Sequence, residues 1–367
     1  MWCRLLPRAF ALVLLTSGCD SSPQPNVVVH SGESIQAALA LMPPAADSWI
    51  VKVEAGVYNE TVSVDRSGIT LLGEVKGDGP ADRAVLDGTV EAGRLLKDAV
   101  IVSGANFTMQ GFTVRNYSGN GVTTSKTRNI VLRDIIADRS GRYGVYPVES
   151  EDILVENCVA TGISDAGIYV GQSRRAVVRG CKVYGNVAGI EIENTVDALV
   201  ENNEAWDNTS GLLAFVLPNN PSKVGNNCTM RNNNVHDNNR VNWGDPTAIV
   251  SKIPAGIGVA VMAADTTVIE NNRITGNRSV GVAVIGLAQL LPDPTGIDVE
   301  PDPDGTVLRK NTYQGNGKDP DPGLKGAGFN GGGDILWDGH GKLNCIDEPQ
   351  GDDLAKVGVA GALPACK

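Results

Sequence analysis

The chain has no excess of positive charge: 31 Lys and Arg stand against 42 Asp and Glu, a formal net charge of −11 over 367 residues. That balance argues against nucleic acid as a partner, because phosphates need a basic face. A polyanionic substrate is disfavoured too, unless a basic cleft forms locally. No long amphipathic helical stretch occurs, and aromatic residues supply only 5%. Metal-ligand spacing of Cys and His is missing, with His30, His236 and His340 far apart. Asp298, Glu300, Asp302 and Asp304 alternate ahead of Gly305 as calcium ligands would, but Asn311 stands where such a loop has its closing glutamate. A plain acidic loop is expected there rather than a calcium site, and no metal or other cofactor is implied.

What the chain has in quantity is glycine, 44 residues of it, with many asparagines and valines. Short strands and tight turns follow from that composition. Gly-apolar-x-apolar segments open at Gly121, Gly144, Gly167, Gly189, Gly211, Gly256 and Gly281, the first five at spacings of 23, 23, 22 and 22 residues. A second segment with strict alternation begins at Leu132, Val155, Val178, Val200, Met230, Ile269 and Leu308. This period holds three short strands and three turns, one coil of a right-handed parallel β-helix, and the leucine signature of the rival leucine-rich repeat is absent. The fold class is therefore all-β, and a length above 300 residues demands no second domain.

Equivalent residues of successive coils stack about 4.8 Å apart, so each alignment column is a physical ladder. One inward column runs Phe112, Ile135, Cys158, Cys181, Asn203, Asn233, Asn272, Asn311; a second runs Asn186, Asn208, Asn238, Asn277, Asn316. The asparagines are read as two amide ladders, structural rather than catalytic. Cys158, Cys181 and Cys228 are read as buried thiols, since side chains on neighbouring rungs run parallel and sit too far apart to bridge.

Residues 1–18 carry two arginines, a short apolar run and small residues ending on Cys19, as in a signal peptide. The junction resembles a bacterial lipobox, which implies cleavage before Cys19, acylation of its sulfur, and an exported chain lipid-anchored to the cell envelope. Residues 19–27 form a tether, 28–340 the β-helix and 341–367 an irregular C-terminal tail, in which a Cys345–Cys366 disulfide is expected. Residues 33–41 have helical spacing and would cap the open end of the stack. Insertions near 217–255 and 287–304 break the register; Trp243 and Asp245 are expected to anchor the longer one.

On the strand after the repeat glycine, an outward column reads Thr123, Tyr146, Tyr169, Glu191, Leu213, Gly258 and Ala283. Glu193 follows Glu191 on the same face, and Glu149, Gln172 and Asn194 flank the strand ends. Tyr146 and Tyr169 could stack on sugar rings, with Glu149, Gln172 and Asn194 as further ligand contacts. Glu191 and Glu193 could serve as general acid and base. Any exposed strand alternates polar residues in this way, so a solvated face is the expectation. Arg142, Arg174 and Arg175 are read as turn and surface charges.

GIYVGQSRRAVVRGCKVYGNVAGIEIENTVDALVENNEAWDNTSGLLAFVLPN, followed by PAGIGVAVMAAD and GGDILWDG, resembles a family of exported bacterial parallel β-helix repeat proteins in the pectin-lyase-like superfamily. The resemblance implies the fold over most of the chain and hints at a co-encoded exported partner, but implies no particular activity. Neither the Asp-Pro-His-Asp signature of the superfamily's epimerases nor the paired aspartates with His-Gly of its polygalacturonases is present. The expected function is thus glycan or protein-partner binding along one flank, without established catalysis. The alternative is a polysaccharide-active lyase, hydrolase or epimerase using the outward face.

Overall fold

The computed structural model describes residues 24–77, 79–291, 296–326, 329, 331–347, 356–357 and 363–367. Cys19 and the signal segment lie outside the described residues. The chain winds through three parallel sheets in turn. Among the described residues the first has twelve strands, from Val27–Val29 to Cys345–Asp347, and the second has ten, from Gly56–Tyr58 to Thr312–Gln314. The third has eleven, from Val62–Val64 to Lys356–Val357. The result is an all-β, right-handed parallel β-helix whose aliphatic core fills the space between the sheets. A short helix, Ile35–Ala40, covers the N-terminal end with Ile35, Ala38 and Leu39 buried; Ser34 caps it through Ala37 N, and Glu60 accepts from Ile35 N and Gln36 N.

Both amide ladders form. Asn203 Nδ2 donates to Asn233 Oδ1 at 3.0 Å, Asn233 to Asn272 at 2.9 Å and Asn272 to Asn311 at 2.9 Å. The second ladder passes from Asn186 through Asn208, Asn238 and Asn277 to Asn316, which ends it on Asp334. The cysteines continue the first ladder by other means, Asn203 Oδ1 accepting from Cys181 N and Cys181 Sγ from Cys158 N. Cys158, Cys181 and Cys228 are buried free thiols.

The glycine column answers to space rather than to backbone angle. A Cβ on Gly211 would lie 2.5 Å from Gly258 O and 3.0 Å from Asn238 Nδ2, and one on Gly189 would lie 2.5 Å from Gly211 O. Glycine thus lets each strand pass close over the amide ladder. The column runs from Gly211 to Gly258, not to Gly256 as the sequence register suggests. Gly256 instead ends the preceding loop at φ +91. That one strand, Ile257–Met262, is therefore offset by two: Leu213 pairs with Ala260 rather than Gly258, and Phe215 with Met262, while Ala283 keeps its place in the column beside Ala260.

Residues 217–255 are not one loop, because Asn226–Arg231 and Asn234–His236 return to the stack inside them. Trp243 stands 43% exposed; Asn242 anchors this segment by donating to Val250 O and Ile253 O. Asp245 caps only its own turn at Thr247. Past residue 340, Cys345–Asp347 pairs with Val307–Arg309 and adds a rung to the first sheet, with Cys345 joined to Cys366.

Candidate active site

Tyr143–Val148, Ala166–Gly171, Ala188–Glu193 and Ser210–Phe215 lie side by side in the third sheet. Alternation sends Val145, Ile168 and Ile190 into the core and Tyr146, Tyr169 and Glu191 out of the coil. Tyr169 sits directly beside Glu191, and Gly171 beside Glu193. Glycine suits that position because a Cβ there would fall 2.4 Å from Tyr169 Oη. The ring of Tyr169 leans across the space above Gly171, toward Glu193.

The expected solvated face is not found. Glu191 is 3% exposed, Glu193 8% and Tyr169 4%. The two inserted segments, joined by the short helix Pro322–Gly326, fold back over this part of the third sheet and wall a partly open cavity of about 970 Å³. The cover supplies a contact to the chemistry: Asn220 Nδ2 donates to Glu193 Oε1 at 2.6 Å. Gln172 Nε2 donates to Tyr169 Oη at 3.1 Å and reaches Glu193 Oε1 at 3.4 Å.

Three more residues complete the cluster: Arg142, which the sequence reading took for a turn or surface charge, and Tyr143 and Asp165, which it left out. Arg142 Nε lies 3.6 Å from Asp165 Oδ2, and its guanidinium stands over the Tyr143 ring, 5.3 Å from the centroid. Tyr143, Tyr146 and Tyr169 pack together, with centroids 4.4 to 5.0 Å apart. A signal was available. Arg142 and Asp165 each precede their repeat glycine by two residues, so they stand one rung apart in a single column.

Two expected contacts are not part of the cavity. Glu149 faces Lys126 at 3.9 Å. Asn194 is fully buried and spends its amide on the cover, donating to Leu217 O and Ser222 O and accepting from Leu217 N. Arg174 and Arg175 are surface charges paired with Glu151 and Asp152. In the acidic stretch, Asp298 pairs with Lys223, Asp302 with His340, and Asp304 accepts from Lys342 N. Among the described residues, no group of three or more His, Cys, Asp or Glu is arranged to hold a metal.

Burial dominates the electrostatics. It pushes the Glu191 carboxyl well above the usual range, and the neighbouring Asp165 and Glu193 add to the effect. Burial also pushes Glu193 up to about 7, against hydrogen bonds from Asn220 and Tyr169 that favour its charged form. Asp165 is pushed up to about 6, again by burial, with Arg142 and Tyr143 pulling the other way. The three acids thus differ in proton affinity, so one can hold a proton while another has lost it.

The family described as right handed beta helix region matches residues 82–204 and 120–290. Pectinesterase 3 of Citrus sinensis is 27% identical over 197 residues, which span 49% of this chain and 32% of that protein. The chain therefore aligns with about a third of that relative's length. Among solved structures, the A-module of an Azotobacter vinelandii mannuronan C-5 epimerase superposes with a TM-score of 0.56 at 20% identity, covering 91% of this chain and 93% of that one. DFA-IIIase from Arthrobacter chlorophenolicus gives a TM-score of 0.57 at 11% identity, with 90% and 92% covered. At such identities the two structures share a fold with this chain and nothing finer. With the coil, its ladders and the family match in agreement, the chain belongs to the right-handed β-helix family.

Proposed function

We propose that this chain is a carbohydrate-active enzyme that hydrolyses a glycosidic bond between uncharged sugars inside the covered cavity. The observation that carries the reading is the burial of Asp165, Glu191 and Glu193 together, with Arg142 as the cation beside them. Packing gains nothing from three buried acids, whereas unequal proton affinities are what acid–base chemistry requires. Glu191 donates its proton to the leaving glycosidic oxygen as the C–O bond breaks. Glu193, ionised, takes a proton from water as the water oxygen bonds to the anomeric carbon. Asp165 holds Arg142, and the tyrosines position the ring. A uronate would bring further negative charge to a site that already has three acids, so a neutral sugar suits it better.

Relatives and structural neighbours named as pectinesterase and epimerase support an enzymatic reading over binding along an open flank. The cover over the third sheet supports it too. Export and lipid anchorage at Cys19 remain proposals resting on residues 1–19 alone. The test is product analysis by mass spectrometry on a panel of neutral oligosaccharides. Turnover is expected, with a loss of roughly 10²-fold or more in both Glu191→Gln and Glu193→Gln. Turnover that survives both substitutions would sink the assignment, and binding without turnover would favour a non-catalytic glycan receptor.

A further inference from the structure

We propose that the substrate is amphiphilic, an uncharged sugar joined to an aliphatic chain, with the sugar among Tyr146, Tyr169, Glu191 and Glu193 and the chain along the neighbouring rungs of the same cavity. This rests on the acid cluster being the site of sugar chemistry, and it names the substrate class for that site. The cavity changes character over a single rung. Beside Glu191 stands Leu213, then Ala260 and Ala283; beside Glu193 stand Phe215, Met262 and Ile285. The cover matches that change, with Ile249, Ile253, Leu290 and Leu291 lining the same space. Ala260 and Ile285 keep part of their surface free although the cover lies over them, so packing has not filled this half.

A glycan filling the whole cavity would lay its hydroxyls against these aliphatic walls with no partners, which is unfavourable for each one. An aliphatic chain gains there, by about fourfold in affinity for each methylene buried. Three carboxyls facing Arg142 also disfavour a phosphate linker, so the join between sugar and chain is uncharged.

The test is titration calorimetry of the intact chain with maltose and with hexyl, octyl and decyl maltosides, each below its micellar concentration. Affinity should rise about two- to fourfold per methylene from hexyl to decyl. Ala260→Leu, which fills the apolar half, should flatten that rise, and Ile285→Gln should weaken it; a thermal melt of each variant checks that it folds. Equal affinity across the series would overturn the proposal, as would a rise that persists in a folded Ala260→Leu. The two readings fail separately. Cleavage of free oligosaccharides with no dependence on chain length keeps the hydrolase and removes the amphiphile. Chain-length-dependent binding without cleavage keeps the amphiphile and removes the hydrolase.

Discussion

Asn220, on the segment that follows the strand Ser210–Phe215, donates its amide to Glu193 at 2.6 Å across 27 positions of sequence. The same amide reaches Asn194 Oδ1 at 3.2 Å and Leu217 O at 3.4 Å, so the cover and the carboxyl are fixed by one side chain. A hydrogen bond to a carboxylate favours the charged form. Removing it in Asn220→Ala should raise the proton affinity of Glu193 further, by about one to two pH units for a charge-assisted bond of about 1.5–3 kcal/mol. Side-chain carbon NMR of labelled glutamate reads this directly, without turnover. An unmoved Glu193 titration would show that the contact carries no electrostatic weight.

The pH dependence of stability follows from the same residue. Glu193 titrates near 7 when folded against an ordinary 4.5, so the folded state holds its proton more tightly. The stability this contributes is fully present below about 4.5 and is lost as pH rises through about 7. By pH 8 the loss is on the order of 3 kcal/mol. Asp165, raised to about 6, acts in the same direction, while Asp87, whose carboxyl is lowered, acts oppositely. The informative quantity is therefore the difference between wild type and Glu193→Gln. Glu193→Gln should be the more stable of the two at pH 8, and the gap should close toward pH 4.5. Parallel stability curves over that range would contradict the assignment.

The coil was legible in the sequence because a ladder repeats its chemistry at fixed spacing, and Asn203 to Asn311 report their stacking in one column. That Tyr146, Tyr169, Glu191 and Glu193 share one outward face was legible for the same reason. Their burial was not, because the covering segments have no register, and nothing in the spacing of Asn220 or Ile249 says where those residues fold back. Gly256 misled the register, since a loop glycine two residues before Gly258 looks like a repeat glycine until the strand pairing is known. Arg142 looked like a turn charge, and Asp165 did not stand out at all. Only the fold shows that their column faces a walled cavity.

The first amide ladder should lose most when cut in the middle. Asn233 Oδ1 accepts from both the backbone and the side-chain nitrogen of Asn203, and its own Nδ2 donates to Val200 O and Asn272 Oδ1. Asn233→Ala orphans buried donors and should cost about 3 kcal/mol. Asn311, at the part-buried end of the ladder, should cost about 1 kcal/mol when replaced, because water can substitute there. Urea midpoints at unchanged m-value measure both. Equal losses would mean that the ladder is not cooperative.

Gly211→Ala tests whether space alone dictates the glycine column. Its φ is ordinary, so strain enters only through the Cβ, which would meet Gly258 O at 2.5 Å and Val235 Cγ1 at 2.7 Å. Backbone cannot yield as a flexible side chain does, and a loss of about 2–3 kcal/mol is expected. Gly93→Ala, where a Cβ meets nothing within 4 Å, is the control for positive φ without crowding. If Gly211→Ala costs no more than that control, close approach is not the reason for glycine.

On the outward face of the first sheet, charge alternates from rung to rung: Arg133, Glu156, Arg179, Glu201, Arg231, Glu270, Arg309, Asp347. Glu156 accepts from Arg133 Nε at 2.6 Å and from Arg179 Nε at 2.7 Å. Burial opposes its ionisation, yet the two arginines hold the carboxyl below its usual range. A slip of one rung would set like charge on like charge along this column, so the pattern favours the native register as well as stability. Glu156→Lys would place three positive charges on consecutive rungs and should cost about 2 kcal/mol at low salt. Glu156→Gln, which only removes the pairing, should cost about 1 kcal/mol. Both losses should shrink in 1 M salt, where the screening length falls to about 3 Å. Urea denaturation at the two salt concentrations separates this from packing, because a loss that ignores salt would belong to the buried stem of the side chain and not to its charge.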